Sequence, residues 1–316
     1  MSPTEQTIFE QFDYWRAAIR PTTPAQPSGT AVFVGCGTSY NLALSLAAQS
    51  NRLGRSAIAV PGGEWATRAD AYCVDWRKAH VYALSRSGET TETVAAAKAS
   101  RNAGGFVTAI TVEPESTLAK SCDEAIVAAT HPQEGIVMTT SASLMLLLGL
   151  QAMGVGLSAS LPDAARTLLE ALDARHAPSL AGRSHFVFLG GGALYGVALE
   201  GALKLMEMSQ SFTQGFHPQE YRHGPVSLID GKSTVILLYS DQVEAEAMLA
   251  GELQEKGALV VGFGGPGDIR FDVSVALPEK GLACLPALQL LGERRAQACG
   301  LDTVSPRHLT KVVTLV

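Results

Sequence analysis

The sequence lacks the features that would direct this protein to a membrane, to the outside of the cell or to nucleic acid. Only five cysteines occur in 316 residues, and they show no CxxC spacing, so neither a disulfide framework nor a zinc site is indicated. Lys and Arg total 24 against 30 Asp and Glu, a net charge of −6, without a basic block. Nucleic acid is therefore not expected as a partner. The N-terminus carries early acids and no apolar core, which excludes a signal peptide and favours a cytoplasmic protein.

One long uncharged stretch, residues 141–161, is a candidate for a membrane span. Gln151, three Gly and four Ser dilute its hydrophobicity, and no Lys or Arg flanks it. A membrane helix needs about 20 predominantly apolar residues with basic flanks. The stretch is therefore predicted to be a buried helix, and no membrane partner is expected.

Short β-branched runs alternate with longer helical patterns along the chain. The predicted strands are Ala31–Gly35, Ala57–Val60, His80–Ser85, Val107–Thr111, Glu124–Val127, His185–Gly190, Thr234–Tyr239 and Leu259–Phe263. The predicted helices are Tyr40–Ser50, Thr91–Asn102, Ser143–Met153, Tyr195–Ser209 and Val243–Lys256. This alternation predicts an α/β fold with parallel sheets covered by helices on both faces.

The pattern restarts halfway, which indicates an internal repeat. Residues 32–44 and residues 187–199 each contain a strand, a Gly-x-Gly turn and the start of a helix. Two copies of one domain are the simplest interpretation. The expected organisation is an N-terminal helical arm at 1–28, a first domain at 29–160, a helical connector at 161–180 and a second domain at 181–316.

The first copy contains two segments suited to holding a phosphate. Gly37, Thr38 and Ser39 lie where a strand leads into a helix, and free N–H groups at a helix start attract anions. A tight turn without a ligand is the alternative interpretation of that segment alone. Ser85, Arg86, Ser87 and Thr90 also follow a strand and open a helix. Capping would need only one of these hydroxyls, so their number favours a phosphate.

The chain has no dinucleotide fingerprint and no Walker A motif, so a single phosphate on a small molecule is expected. The second copy replaces Thr38 and Ser39 by Ala193 and Leu194, and it places Tyr239 and Asp241 where the first copy has Ser85 and Ser87. One phosphate site per chain, in the first domain, is the resulting prediction.

The second copy carries the candidate reactive groups. Glu200, Lys204 and Glu207 are spaced i, i+4 and i+7, and hence lie on one helix face that is otherwise Ala, Leu and Met. A structural Glu–Lys pair on a solvated face is the alternative.

Residues 215–225 are predicted to be a loop and are dense in titratable groups, among them His217, Glu220 and His223. Two His and a Glu around tight turns indicate a site, whereas the spacing matches no metal-ligand motif. The apolar residues of the C-terminus predict that it docks and carries Lys311 with it; an exposed tail lysine is the alternative. Glu, His and Lys together suit aldose–ketose interconversion and imine chemistry at a sugar carbonyl.

At this point the chain resembles a known family. It is similar to the isomerase half of glucosamine-6-phosphate synthase and to amino-sugar-phosphate deaminases built from two SIS domains. The resemblance rests on segments that span nearly the whole chain in family order: Gly35–Tyr40, Ser85–Thr90, Pro114–Leu118, Glu200–Glu207, His223–Pro225 and Pro306–Lys311. It implies two tandem SIS domains, each a mostly parallel, flavodoxin-like, three-layer sheet flanked by helices.

The resemblance also implies residue roles. Gly37, Thr38, Ser39, Ser85, Arg86, Ser87 and Thr90 would hold the sugar phosphate, with Arg86 at the family's Gln position. Glu207 falls on the proton-shuttling Glu, His223 on a ring-opening His from the neighbouring subunit, and Lys311 on a Lys that forms a Schiff base. Glu200, Lys204 and Val137 fall on supporting positions of the pocket. A homodimer, no cofactor and no metal are implied.

Two departures from the synthase refine the expected activity. The chain begins MSPTEQT, without a glutaminase domain, and residues 137–141 read Val-Met-Thr-Thr-Ser, closer to the stand-alone deaminases. The expected activity is conversion of glucosamine 6-phosphate, or galactosamine 6-phosphate, to the ketose 6-phosphate and ammonia. A fructosamine-6-phosphate deglycase and a non-catalytic sugar-phosphate sensor are the alternatives.

Overall fold

The computed structural model describes residues 1–21 and 29–314. The expected N-terminal arm, 1–28, contains helix α1 at Pro3–Ala18, and its residues 22–28 lie outside the described residues. The further helices are α2 Thr38–Arg52, α3 Gly62–Arg68, α4 Thr91–Asn102, α5 Thr117–Ser121, α6 Thr140–Ala152, α7 Leu161–Arg175, α8 Ala177–Leu180, α9 Ala193–Ser209, α10 Val243–Glu255 and α11 Leu277–Ala298. The strands are β1 Ala31–Gly35, β2 Ala57–Pro61, β3 His80–Leu84, β4 Phe106–Thr111, β5 Glu124–Val127, β6 His185–Gly190, β7 Phe212–Phe216, β8 Ser233–Leu238, β9 Leu259–Phe263 and β10 Ile269–Phe271.

The first sheet is parallel throughout and has the strand order β2-β1-β3-β4-β5. Its central strands are short apolar runs; β1, for example, is buried at all five positions. A strand can be apolar along its whole length only if both faces of its sheet are covered. The strand after β1 lies on one side of it, and the later strands lie on the other side, so the strand order reverses between β1 and β3. Ligands of doubly wound sheets bind in the crevice at this reversal point.

The second sheet repeats this topology with the order β10-β9-β8-β6-β7, again all parallel. Counted within its own copy, β6 corresponds to β1 and β8 to β3, so both sheets place the same strands at the reversal point. The two-copy interpretation of the sequence and the α/β fold class are therefore confirmed. All six residues of β6 and all six of β8 are buried.

The first part of the long uncharged stretch forms helix α6, which has 13 residues, whereas residues 153–160, also predicted to be helical and buried, lie outside any helix and are partly exposed. The positions of α6 from Thr140 to Leu150 are all buried, as expected for a helix that is apolar on every side and packed inside the protein. Across the described ranges, no helix is both long and apolar enough to cross a membrane.

Some elements differ from the sequence-based expectation. Helix α11, 22 residues long, was not predicted; it contains Pro286, a residue that normally interrupts helices. Strand β7 was also missed, and it extends to Phe216, so the predicted loop begins after this residue rather than at Gly215. It is a short edge strand with little burial, and such strands carry a weak alternating pattern.

The described chain divides into two compact units. The first unit comprises Asp13–Glu134, Met138–Ala159 and Thr310–Val316, and it contains the first sheet. The second unit comprises Met1–Phe12, Gly135–Val137 and Ser160–Leu309, and it contains the second sheet. The residues of the expected connector, 161–180, thus belong to the second unit, where they form helices α7 and α8. The C-terminal segment that carries Lys311 belongs to the first unit.

Candidate active site

The turn after β1 brings three of the predicted phosphate ligands to the reversal point of the first sheet. Gly37 precedes α2 with φ 55° and ψ −124°, and no side chain caps this helix start. Thr38 and Ser39 form its first turn and are each 5% exposed. A positive φ is accessible to Gly at little cost, so Gly37 can form the turn that leads from β1 into α2, and Thr38 and Ser39 lie at the start of this helix, where anions are favoured.

The segment after β3 lies on the other side of the same reversal point. The hydroxyls of Ser85 and Thr90 are 3.3 Å apart, and the Gly88 N–H donates to Ser85 Oγ over 3.1 Å. Thr90 is the N-cap residue of α4, yet its side chain makes no capping hydrogen bond. The capping alternative therefore does not account for this hydroxyl. Ser87 accepts from the Glu89 N–H over 3.2 Å.

The Arg86 side chain is buried and reaches toward the C-terminal segment of the first unit. Its Nη2 donates to the carbonyl oxygen of Lys311 over 3.0 Å, and its Nη1 lies 3.9 Å from Glu134 Oε2. Lys311 Nζ in turn donates to the Glu134 carbonyl oxygen over 3.3 Å. The sequence-based prediction that the C-terminus docks is supported by these contacts, and Lys311 itself remains exposed.

Glu134 is a functional candidate that the sequence reasoning missed. It is 5% exposed, and its Oε1 accepts from the Thr139 N–H at 2.6 Å, the Thr139 hydroxyl at 2.9 Å and the Ser141 N–H at 2.9 Å. These donors belong to the start of α6, where a carboxylate is favoured by unpaired N–H groups and the helix dipole. The available signal was an acidic residue just ahead of a long uncharged helix.

A cleft of about 760 Å³ opens beside this cluster in the first unit. Arg86, Ser87, Glu134 and Lys311 are among its lining residues, together with the loops that follow β4 and β5. The cluster is thus at the wall of a cavity large enough for a small sugar phosphate.

In the second unit, Glu200, Lys204 and Glu207 lie on one face of α9. Glu200 is 0% and Lys204 1% exposed, which rules out the alternative of a pair on a solvated face. Lys204 Nζ lies 3.5 Å from Glu200 Oε1 and donates a short hydrogen bond to Glu207. Burial alone would lower the pKa of Lys204, but the two carboxylates outweigh it and hold that pKa above its ordinary value. The ammonium therefore stays charged and keeps the Glu207 carboxylate in place.

His223 lies between two tight helical turns after β7, Gln219–Arg222 and Pro225–Leu228, in the same unit. The turn Gln219–Arg222 ends where the His223 N–H donates to the Glu220 carbonyl over 3.0 Å. The adjacent Arg222 forms a two-pronged ion pair with Glu252 of α10, with both N···O distances at 2.8 Å. Paired guanidinium–carboxylate contacts of this kind fix geometry as well as adding energy, so α10 holds the turn that carries His223.

The remaining members of the predicted site also have defined places. Val137 belongs to the second unit and packs with Met208, Ala296 and Leu301. His217 stacks on Tyr195, with ring centroids 3.8 Å apart, and burial lowers the pKa of His217 despite the nearby Glu220. The phosphate candidates and Lys311 are thus grouped in the first unit, and Glu200, Lys204, Glu207, His223 and Val137 in the second.

The second copy keeps the glycine turn of the first copy, but a carboxylate of the same chain lies against this turn. Gly192, before α9, has φ 56° and ψ −125°, matching Gly37. The Glu246 carboxylate accepts from the Ser240 N–H and hydroxyl, each over 2.7 Å. A Cβ at Gly191 would lie 3.4 Å from Glu246 Oε1, so this carboxylate sits against the turn. The acid that occupies the position is Glu246 rather than Asp241, which is exposed.

No group of three or more His, Cys, Asp or Glu side chains arranged to hold a metal ion occurs among residues 1–21 and 29–314.

The fold defines the chain as a duplicated, doubly wound α/β protein, and its first copy carries hydroxyl side chains in the turns after β1 and β3. A family model described as SIS domain matches residues 26–153 and 179–265. The chain belongs to the SIS domain family.

Several relatives are similar over most of this chain. Glutamine–fructose-6-phosphate aminotransferase (isomerizing) of Pyrobaculum aerophilum is 32% identical over 98% of this chain and 56% of that protein. The corresponding protein of Sulfurisphaera tokodaii is 28% identical over 90% of this chain and 50% of that protein. The chain thus spans about half the length of the curated relatives it matches.

Solved structures match as well. Glucosamine-6-phosphate deaminase of Thermotoga maritima has a TM-score of 0.86 at 30% identity, covering 99% of this chain and 100% of that one. The C-terminal domain of glucosamine-fructose-6-phosphate aminotransferase from Francisella tularensis has a TM-score of 0.82 at 20% identity, covering 95% and 97%. The second match bears on the fold alone.

Proposed function

We propose that the protein is an amino-sugar-phosphate deaminase/isomerase. Glucosamine 6-phosphate, or galactosamine 6-phosphate, and water would give the ketose 6-phosphate and ammonia. The observation that carries the amino-sugar assignment is the similarity to the deaminase of Thermotoga maritima over the full length of both chains. The curated relatives carry the sugar-phosphate part of the assignment through their names.

Anchoring of the phosphate is assigned to the cup formed by Gly37, Thr38, Ser39, Ser85, Ser87 and Thr90. Neutral hydroxyls and backbone N–H groups at two helix starts hold an anion without needing a buried cation. This leaves the sugar carbons free to extend toward the ionisable groups.

Proton transfer is assigned to Glu207. Once His223 has opened the ring, a carboxylate can take the proton from C2, and the electron pair of the broken C–H bond forms a C1=C2 bond while O1 gains a proton. Return of the proton to C1, with loss of a proton from nitrogen, leaves an imine at C2. The Lys204 ammonium beside Glu207 holds this carboxylate in position before it acts.

Release of ammonia is assigned to Lys311. Attack of its neutral amine on the C2 imine forms a lysine imine and expels ammonia, and water then hydrolyses this imine to the ketone and the free lysine. The same amine would react with the ketose in the reverse direction, giving an imine that borohydride can trap.

We further propose that the working form is a homodimer in which His223 is supplied by the neighbouring subunit. The proposal rests on the family resemblance of the His223-Gly224-Pro225 segment. It gives the dimer a catalytic reason, since neither chain would then hold a complete site.

The test is ammonia release by the purified protein without added cofactor. Glucosamine 6-phosphate, galactosamine 6-phosphate and fructosamine 6-phosphate are assayed in parallel, and the ketose phosphate is measured in the same samples. Equal amounts of ammonia and ketose phosphate from a hexosamine phosphate are expected. Ammonia from fructosamine 6-phosphate alone would replace the proposal by a deglycase, and no turnover with retained ketose-phosphate binding would replace it by a sensor.

A further inference from the structure

Arg86 stands in the phosphate segment, yet its guanidinium makes its described contacts elsewhere. Nη2 donates to the Lys311 carbonyl at 3.0 Å, and Nη1 faces Glu134 Oε2 at 3.9 Å. The side chain is 7% exposed, so a long cationic group is held inside the first unit against the C-terminal segment. A guanidinium with five fixed donors suits such a bridging role better than a point charge would.

Glu134 contacts both Arg86 and Lys311. Its backbone carbonyl accepts from Lys311 Nζ at 3.3 Å, and its Oε1 is tied to the first turn of α6 through Thr139 and Ser141. Oε2, the oxygen that faces Arg86, is buried and has no hydrogen-bond partner among the described residues. A buried carboxylate oxygen without a hydrogen-bond partner gains most from a nearby cation.

We propose that Arg86 and Glu134 form a clamp that positions Lys311. The carboxylate of the buried Glu134 is tied to the start of α6, and Arg86 follows β3. Arg86 contacts the Lys311 carbonyl oxygen, and the Glu134 carbonyl oxygen accepts from the Lys311 amine. Arg86 is thus a positioning residue for the tail lysine and not a ligand of the substrate phosphate. The expected effect of the clamp on catalysis rests on the function proposed for Lys311. Its expected effect on the order of the C-terminal segment does not.

A positioning role for Arg86 and a phosphate-binding role for Arg86 predict different kinetic effects. Loss of a phosphate contact weakens binding of every sugar phosphate and raises KM. Loss of a positioning contact leaves the phosphate cup intact and lowers the rate of imine formation, because a displaced amine misses the carbonyl even by a small distance.

The variants are chosen to break one contact at a time. Arg86→Gln removes the cation and shortens the side chain. Glu134→Gln keeps an oxygen that can accept from Thr139 and Ser141, and it replaces the oxygen facing Arg86 by an amide, which donates and cannot pair with a guanidinium. Arg86→Lys retains the positive charge but lacks the planar, forked set of N–H donors of a guanidinium. The matched control is Arg101→Gln, a half-exposed arginine on α4 whose partner is Asp123.

The first readout is the tail itself and needs no activity. Hydrogen exchange of residues 305–314 and the rate of trypsin cleavage after Lys311 are compared in all variants. Arg86→Gln and Glu134→Gln should each accelerate both by roughly 10-fold, with the double variant no faster than the singles because one contact is shared. Arg101→Gln should not change them. Unchanged exchange and cleavage in Arg86→Gln would overturn the clamp.

The second readout is chemical. Borohydride trapping of fructose 6-phosphate on Lys311 and kcat should fall by roughly 10-fold or more in Arg86→Gln, while the Kd for fructose 6-phosphate, measured by calorimetry, changes by less than about 3-fold. Arg86→Lys should recover part of the trapping rate. A large rise in Kd with normal trapping would show instead that Arg86 binds the phosphate. If the wild-type protein neither deaminates nor traps the ketose, the proposed function fails, and the tail measurements still decide the clamp.

Discussion

At the scale of single residues, the cluster on α9 is the most informative feature. A lysine that is 1% exposed is expensive to bury, and the contacts to Glu200 and Glu207 account for its remaining charged. The Glu207 side chain is 20% exposed, so it is the member of the cluster that a substrate can reach. Burial of the pair Glu200–Lys204 thus orients one accessible carboxylate.

Replacing that carboxylate tests its role. Glu207→Gln should lower kcat by about 10²- to 10⁴-fold, because an amide cannot take a proton, while fructose 6-phosphate still binds. Steady-state kinetics and calorimetry measure the two effects. Glu244→Gln, an exposed glutamate on α10, serves as the control, and near-normal turnover by the Glu207 variant would remove Glu207 from the mechanism.

The lowered pKa of His80 determines the sign of this residue's contribution to the pH dependence of stability. Burial lowers its pKa below the ordinary value of 6.5, against a weaker opposite effect of Asp123. The unfolded chain therefore takes up a proton more readily, so this contribution to stability is complete above pH 6.5 and is lost as the pH falls through the lower folded-state pKa.

Urea unfolding at about pH 7.5 and about pH 5.5, on either side of the ordinary histidine pKa, measures this loss. His80→Asn should show a smaller decrease in the free energy of unfolding between the two pH values than the wild type. The comparison uses the difference between pH values, because the variant also loses the contact between His80 Nε2 and Thr108 Oγ1 at 2.8 Å. An equal decrease in both proteins would exclude His80 as the source.

At the scale of elements, the loop between β3 and α4 depends on one close approach. Gly88 has φ 62°, and a Cβ there would lie 2.1 Å from Ser116 Oγ. Ser116 caps α5 by accepting from the Ala119 N–H. The segment Ser85–Thr90 is therefore held in shape partly by its packing on the start of α5.

Gly88→Ala should consequently destabilise the protein by about 1–3 kcal/mol and weaken ketose-phosphate binding, through both backbone strain and the displaced cap. Gly104→Ala isolates the strain, since Gly104 has φ 94° and a Cβ there would have no atom within 4 Å. Urea unfolding and calorimetry compare the two. Equal destabilisation with unchanged binding in both variants would contradict a special role for the Gly88 contact.

At the scale of the whole molecule, the proposed borrowing of His223 has a consequence that mixing can reveal. Glu207→Gln and His223→Asn should each be inactive alone. After unfolding and refolding together, a mixed dimer would contain one site with both lesions and one with neither. With random pairing, about a quarter of the wild-type activity should return.

The activity of the mixture is measured against each variant refolded alone. Recovery of the expected fraction supports a site shared across the dimer. A mixture no more active than the separate variants would indicate that each chain uses its own His223, or that the protein does not form a dimer.

The fold was accessible from the sequence because its signals are local and repeated. The strand–glycine–helix pattern at β1 and β6 fixes the topology of each copy, since a short apolar strand followed by a helix must return to form a parallel neighbour. Helix α11 and strand β7 escaped prediction for local reasons as well. Pro286 interrupts the helical signal, and a half-exposed edge strand has little pattern to detect.

The candidate site was accessible only in part. The spacing of Glu200, Lys204 and Glu207 along α9 placed them on one face, because helix geometry fixes that relation. Glu134 and Arg86 were not connected by any spacing, since their side chains meet through the fold at a separation of 48 positions in the chain. Likewise, the sequence suggested Asp241 as the acid near the turn of the second copy, whereas in the folded chain the Glu246 carboxylate lies there.

The sequence by itself determined the repeated α/β architecture, the family resemblance and the residue types available for chemistry, because periodicity and motif order are properties of neighbours in the chain. The tertiary structure decided which groups are buried, which carboxylate closes the second turn, and that Arg86 contacts Lys311 and faces Glu134. Those outcomes depend on distances between segments that are remote in the chain. They determine the electrostatic energy of each charged group, because this energy depends on the burial of the group and on the distance to its partner.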